Sequence, residues 1–457
     1  MEKVSELGKK VHVISLGCAR NRVDSEVMLG SLMSQDWSVT DDPDQADAVV
    51  VNTCGFIESA KEESVQTILD IAELKKSNPE LKLVVAGCLT QRYKSQLVEG
   101  LPEVDLFIGT DEFPKISDFL SENLPKGTLK AKRTHYLYDG SLPKKNTLTS
   151  SSAYVKVAEG CQHNCAFCII PAIRGKLRSR PIPNVVAEVQ NLAAEGVKEI
   201  NLIAQDLAAY GRDWGSSDLL ELLKKLVKIE GIEWIRLLYV YPENISEEFI
   251  DFFAREAKLV KYLDIPVQHA SDRILKLMNR DVSKDEMRQI FAKLRERVPG
   301  VSIRTSVMVG FPGETQADFE ELKSFVEEQK FNHLGCFSYS KEEGTVAGRM
   351  SEQVDEDVKA LRLSEIMGIQ REISRAHQEA FVGTYQQVLV KGLSEETDLL
   401  GEGRLSTQAP EVDGVVYINE GRFIPGAIQS VLITEAHDYD LVGKIVDMEE
   451  LDETVIH

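Results

Sequence analysis

The stretch GCQHNCAFC, Gly160 to Cys168, sets Cys161, Cys165 and Cys168 on one short loop with three and two residues between them. It directly follows YVKVA, an apolar run from Tyr154 that reads as a β-strand. Three thiolates this closely spaced suit a cubane four-iron, four-sulfur cluster and leave its fourth iron without a protein ligand. That open iron is a coordination site for a substrate or cofactor. A zinc site completed by His163 or by a remote residue is the alternative, but zinc usually takes paired Cys, or Cys and His, at spacings this loop lacks.

Residues from about 153 to 375 repeat strand and helix. After YVKVA come INLIA (from Ile200), IRLLY (Ile235), YLDIPV (Tyr262), SIRTSVMVG (Ser302) and LGCFSY (Leu334), with helical patterns such as NVVAEVQNLAAEG and SDLLELLKKLVKI between them. Six βα units fall short of the eight of a closed barrel, so an open partial (β/α)6 barrel is expected. Upstream, VHVISLG (Val11–Gly17), AVVVNT (Ala48–Thr53), LVVAG (Leu83–Gly87) and LFIG (Leu106–Gly109) alternate with helices, which implies a doubly wound parallel sheet. SLPKKNTLTSSS (Ser141–Ser152) reads as a linker. Downstream, a long polar helix from Asp355 to about Ala380 leads into VLVKG, VVYIN and SVLITEA, short strands that suggest a small antiparallel β-barrel. The expected domains are residues 10–140, 150–380 and 383–449.

The chain has 457 residues, enough for two or three domains, and its 43% apolar and 28% charged composition is that of a soluble globular protein. No run approaches the roughly 18 apolar residues of a membrane span, and MEKVSELGKK lacks an apolar signal core, so a cytoplasmic protein is expected. Seven cysteines in that compartment point to metal or redox chemistry rather than disulfides. Cys18, Cys54 and Cys88 are far apart in sequence, yet each follows an amino-terminal strand. They should meet at the carboxyl edge of that sheet and hold a second cluster with an open iron. Three buried cysteines acting as small hydrophobes are the simpler alternative. Cys336, inside LGCFSY, reads as a core residue.

C-x-x-x-C-x-x-C after the first strand of a partial barrel resembles the radical S-adenosylmethionine superfamily. The resemblance implies that the open iron chelates the amino acid end of S-adenosylmethionine, whose cleavage gives a 5′-deoxyadenosyl radical. It places Phe167 near the adenine, although an ordinary core role fits that residue equally. VGFPGE (Val309–Glu314), with Gly310, Gly313 and Glu314, fits the cofactor-binding region after the fifth strand. The common Gly-Gly-Glu after the second strand is absent. Gln205 and Asp206 stand there instead, with Gln205 a candidate cofactor-binding residue and the contacts to the cofactor's amino group left open.

Two clusters with a doubly wound amino-terminal domain and a terminal TRAM-like barrel together resemble the methylthiotransferases over almost the whole chain. SLGCARNRVDSE, NTCGFIESAKEES, RGKLRSRP, QDLAAYG and PVQHAS resemble the branch that modifies an aspartate β-carbon in protein twelve of the small ribosomal subunit, rather than the branch acting on adenosine of tRNA. The resemblance implies a low-potential electron donor. A monomer is expected.

Charge argues in the same direction. The chain carries −21 overall, and from Gly383 onward Lys391, Arg404, Arg422 and Lys444 stand against fifteen Asp and Glu, a balance of −11. Such a surface repels a phosphate backbone and attracts a basic ribosomal protein. A solvated acidic face without a partner is the alternative. The run Arg174, Lys176, Arg178 and Arg180 offers contacts to rRNA or a cofactor carboxylate, or equally solvated or structural roles. From another class, a non-catalytic iron–sulfur carrier or RNA-binding protein would share the cysteines but would not cleave S-adenosylmethionine.

Overall fold

In the computed structural model, residues 8–215 and 218–446 are described. The amino-terminal sheet contains β1 (Lys10–Ser15), β2 (Ser38–Val39), β3 (Ala48–Thr53), β4 (Lys82–Gly87), β5 (Leu106–Ile108) and β6 (Thr128–Lys130), all parallel, in the order β2-β1-β3-β4-β5-β6. Alternate residues feed opposite faces. Val50 and Val84 pack with helix Ala19–Met33, while Val49, Val51 and Val85 join the core shared with helix Glu58–Leu74. Both faces are covered, which is why these strands are continuous apolar runs. The order in which strands are added reverses between β1 and β3, the switch point at which such sheets build sites.

The central sheet runs β14-β13-β12-β11-β10-β7, again all parallel and open. Its strands are β7 (Ser152–Lys156), β10 (Glu199–Ile203), β11 (Trp234–Leu237), β12 (Leu259–Asp264), β13 (Ser302–Val309) and β14 (His333–Ser338), with a small β8/β9 ribbon (Ala158–Glu159, Arg178–Ser179) beside the cysteine loop. The expected six-unit partial barrel is what forms. Strand β12 ends at Asp264, so Ile265–Val267 of YLDIPV lies beyond it, where Pro266 has no N–H to give a ladder.

Helix Glu356–Glu379 leads to a closed five-stranded barrel, β15 (Tyr385–Leu393), β16 (Gly401–Leu405), β17 (Val416–Glu420), β18 (Ile428–Ala436) and β19 (Leu441–Ile445). Four of its ladders are antiparallel as expected; the fifth, β17 with β19, is parallel and closes the barrel. The expected domain end at residue 449 lies outside the described residues. Among the described residues no helix is long and apolar enough to cross a membrane.

The linker is a strap rather than a tether. Lys144 Nζ is buried between Glu26 (3.2 Å) and Glu188 (3.1 Å), and the Thr147 N–H donates to Glu26 Oε1 at 2.9 Å. The segment therefore staples the first helix of the amino-terminal domain to the central barrel.

Candidate active site

The three amino-terminal cysteines lie at the carboxyl ends of three adjacent strands, Cys18 after β1, Cys54 after β3 and Cys88 after β4. Gly17 takes φ of 88°, and a Cβ there would lie 2.8 Å from that of Cys54, so the turn needs glycine to bring Cys18 beside Cys54. Cys18 caps helix Ala19–Met33, and Cys88 opens helix Cys88–Tyr93. The polar residues of SLGCARNRVDSE hold the crossing. Asn21 Nδ2 donates to the carbonyls of Leu16 (2.8 Å) and Thr53 (3.2 Å), and Asn52 Nδ2 donates to Asn21 O and Ser25 Oγ, both at 2.8 Å.

Burial pushes the Cys54 thiol up to about 12, aided by Cys88 and Cys18, and it also raises Cys88 despite Arg174. Cys18 behaves differently. Burial raises it too, but Arg20, Arg174 and the backbone N–H groups of Asn21 and Arg20 together hold it below the ordinary thiol value.

In the central loop, Cys161 Sγ accepts from the His163 N–H and Cys168 Sγ from the Ile170 N–H, each at 3.4 Å. Such donors favour thiolates. Burial nonetheless sets Cys161 at about 11 and Cys168 at about 12 and raises Cys165, so metal loading must displace protons. His163 is committed elsewhere: its Nε2 lies 2.7 Å from Asp206 Oδ2 and its ring stacks on Tyr241 at 4.0 Å. Among the described residues no three Cys, His, Asp or Glu side chains close on a point that a single metal ion could occupy.

The two triplets face each other. Arg174, six residues beyond Cys168, reaches Cys88 Sγ at 3.4 Å, Asp24 Oδ2 at 2.9 Å and Glu159 Oε1 at 3.0 Å. Lys156 ties Asp24 to Glu159 across the same interface. Cys88 packs on Ile169 and Ile173, which continue the cysteine loop. The RGKLRSRP run takes the structural role among the alternatives its sequence offers. In the fold, Arg174 and Arg180 are buried in ion pairs, and Arg178 donates to the carbonyls of Arg174 (3.2 Å) and Tyr136 (3.2 Å). Of the four cations only Lys176 is exposed, so the run is not a surface for rRNA.

The remaining candidates separate by environment. Phe167 is half-buried against Ala166, Phe311 and Tyr339, on the same apolar wall as the VGFPGE turn. Gln205 Nε2 donates to Glu159 at 3.1 Å, while its buried Oε1 has no hydrogen-bond partner. Gly310 and Gly313 take φ of 74° and 84°. Glu314 points inward: one carboxylate oxygen accepts from the Gly310 (2.5 Å) and Phe311 (3.1 Å) N–H groups, and the other pairs with Arg362 at 2.8 Å. It clamps the turn instead of facing the crevice. Cys336 is half-buried in β14 among core residues, away from either triplet.

An open parallel (β/α)6 barrel with this cysteine loop after its first strand defines a radical S-adenosylmethionine protein. Residues 155–326 match the Radical SAM superfamily, residues 10–109 match the uncharacterized protein family UPF0004, and residues 382–446 match the TRAM domain. The chain is 49% identical to the ribosomal protein uS12 methylthiotransferase RimO of Anaeromyxobacter sp. (strain K), over 96% of this chain and 94% of that one. It is also 49% identical to RimO of Bdellovibrio bacteriovorus, over 98% and 99%. The chain belongs to the RimO family of radical-SAM methylthiotransferases. Membership implies S-adenosylmethionine and a [4Fe-4S] cluster. Among solved structures, the radical S-adenosylmethionine methyltransferase TsrM from Kitasatospora setae, with cobalamin and a [4Fe-4S] cluster bound, shares the fold at a TM-score of 0.53 and 15% identity, over 83% of this chain and 80% of that one.

Proposed function

We propose that this enzyme replaces one β-carbon–hydrogen bond of an aspartate in ribosomal protein uS12 with a methylthio group, using two [4Fe-4S] clusters, S-adenosylmethionine and a low-potential electron donor. The supporting observation is the apposition of two cysteine triplets across one interface, with Arg174 spanning from the loop of one to Cys88 of the other. Cys161, Cys165 and Cys168 would hold the cluster that takes S-adenosylmethionine; Cys18, Cys54 and Cys88 would hold the second. Bound together, these groups supply the hydrogen-abstracting radical, the methyl group and a site for the transferred sulfur.

The chain's own residues prepare that chemistry. N–H groups of His163 and Ile170 support the central thiolates. Gln205 Oε1, buried without a donor, suits the cofactor's ammonium. Phe167, half-buried on the apolar cluster that contains Phe311, would offer its ring to the adenine. Gly310 and Gly313 shape the turn bordering that cluster, and Glu314 holds it from behind.

The reconstituted protein should hold about eight irons. Replacing Cys161, Cys165 and Cys168 with Ala should halve the iron and abolish 5′-deoxyadenosine formation. Replacing Cys18, Cys54 and Cys88 should halve the iron and leave that product measurable. Offered uS12 and tRNA with excess S-adenosylmethionine and reductant, the enzyme should methylthiolate uS12 alone by mass spectrometry. Modified tRNA beside unmodified uS12 would overturn the substrate assignment.

A further inference from the structure

We propose that Arg20 and Arg174 form a cross-domain pair of positioning residues that sets the reduction potential of the cluster held by Cys18, Cys54 and Cys88. This rests on the two-cluster reading above. The two guanidinium groups are supplied reciprocally. Arg174 leaves the central barrel and donates to Cys88 Sγ at 3.4 Å. Arg20 leaves the amino-terminal domain beside Cys18 and anchors on the central barrel, donating to Ala204 O at 2.8 Å and lying 4.4 Å over the ring of Tyr239. Tyr239 holds a left-handed backbone, φ of 61°, two positions past the end of β11, so the platform for Arg20 is itself strained into place.

Charge bookkeeping separates the two roles. Asp24, Glu159, Lys156 and Arg174 neutralise one another in a buried ion-pair group. Arg20 has no carboxylate within ion-pair distance among the described residues, and its charge acts first on the neighbouring Cys18 while also reaching Cys161 and Cys168 of the central loop. Reduction takes one electron from the low-potential donor and makes the cluster one charge more negative. A cation fixed beside its sulfurs in a poorly screened interior favours that state.

The test is a redox titration of the reconstituted full-length protein with dithionite, followed by electron paramagnetic resonance. The central cluster is recognised by the change in its signal on adding S-adenosylmethionine. Arg20→Gln and Arg174→Gln should each disfavour reduction of the other cluster at least tenfold, a shift of about 59 mV to more negative potential. Arg20→Lys and Arg174→Lys should stay near wild type. Asp24→Asn, which removes a competing negative charge, should shift the potential the opposite way. A merely structural role predicts losses of one sign or none. If Arg174→Gln fails to hold iron, Arg20→Gln and Asp24→Asn decide the matter. Gln variants with full iron and an unmoved potential overturn the pair, as do Lys variants that shift like Gln. Wild-type protein with only one cluster signal overturns the two-cluster reading instead.

Discussion

His269 is fully buried just beyond β12, with Nδ1 accepting from the Ser271 N–H at 2.9 Å and Nε2 without a hydrogen-bond partner. Burial lowers its pKa from 6.5 to about 3. Between those values the unfolded imidazole takes up a proton that the folded one refuses, so stability falls as pH falls through that window. Wild type should lose about 1.4 kcal/mol from this group between pH 7.5 and 5.5. His269→Gln should lack that component, and urea midpoints at the two pH values check it; parallel losses in both proteins would exclude the histidine as the source. Cys336 lies within β14. Its thiol is pushed up to about 12 by burial, and it packs opposite Val307 in the main core. Cys336→Ala should cost about 1 kcal/mol and leave iron content and turnover unchanged. Lost iron in that variant would make the seventh cysteine a ligand.

At the level of elements, the segment joining β16 to β17 does more than connect strands. Its carbonyls at Ser406 and Thr407 accept from Arg236 (2.8 Å) and His333 (2.8 Å), and Arg404 pairs with Glu199 at 2.5 Å. Ala409 joins Tyr154, Ile203, Tyr262 and Val23 in one apolar cluster to which all three domains contribute. The partners Glu199, Ser302 and His333 open β10, β13 and β14, so this loop plugs the end of the barrel opposite the cysteines. Asp413 is its anchor, accepting from the Tyr262 hydroxyl at 2.7 Å and the Ala409 N–H at 2.8 Å and pairing with Arg304 at 3.3 Å. Asp413→Ala strands those buried partners and should cost about 3 kcal/mol. The expected readouts are a lower melting temperature and faster proteolysis near Gly383; an unchanged melting temperature would mean the plug is held by its apolar contacts alone.

Across the whole molecule, the acidic terminal barrel divides its charge between two duties. Asp413 is buried against the central barrel, and Glu411 pairs with Arg22 of the first helix. Glu395, Glu396 and Asp398 are exposed, beside a Leu399 that is 87% exposed. Asp447, Glu449, Glu450, Asp452 and Glu453 lie outside the described residues. The outward set is suited to steering a basic protein. Changing Glu395, Glu396 and Asp398 to Lys should slow association with uS12 and flatten its salt dependence, while uncoupled cleavage of S-adenosylmethionine persists. Unaltered association kinetics would move the docking surface elsewhere.

Local pattern located most strands of the two parallel sheets and placed each cysteine of the two triplets after a strand, but it missed β2, β6, β16 and β19. Apolar runs followed by Cys18, Cys54, Cys88 and the Cys161 loop need only strand periodicity and the rule that parallel sheets place sites at their carboxyl edges. Cys336 was separable because it lies within a strand. The order of the strands, the inward turn of Glu314 and the partners of Arg20, Arg174 and Asp413 came only with the tertiary structure. An arginine in a polar run looks the same in sequence whether it ends in solvent or against a thiol of another domain. Its partner is chosen by how two separately folded surfaces dock, and buried charges find partners far away in the chain: Arg174 and Asp24 are 150 positions apart, and Arg404 and Glu199 are 205 apart.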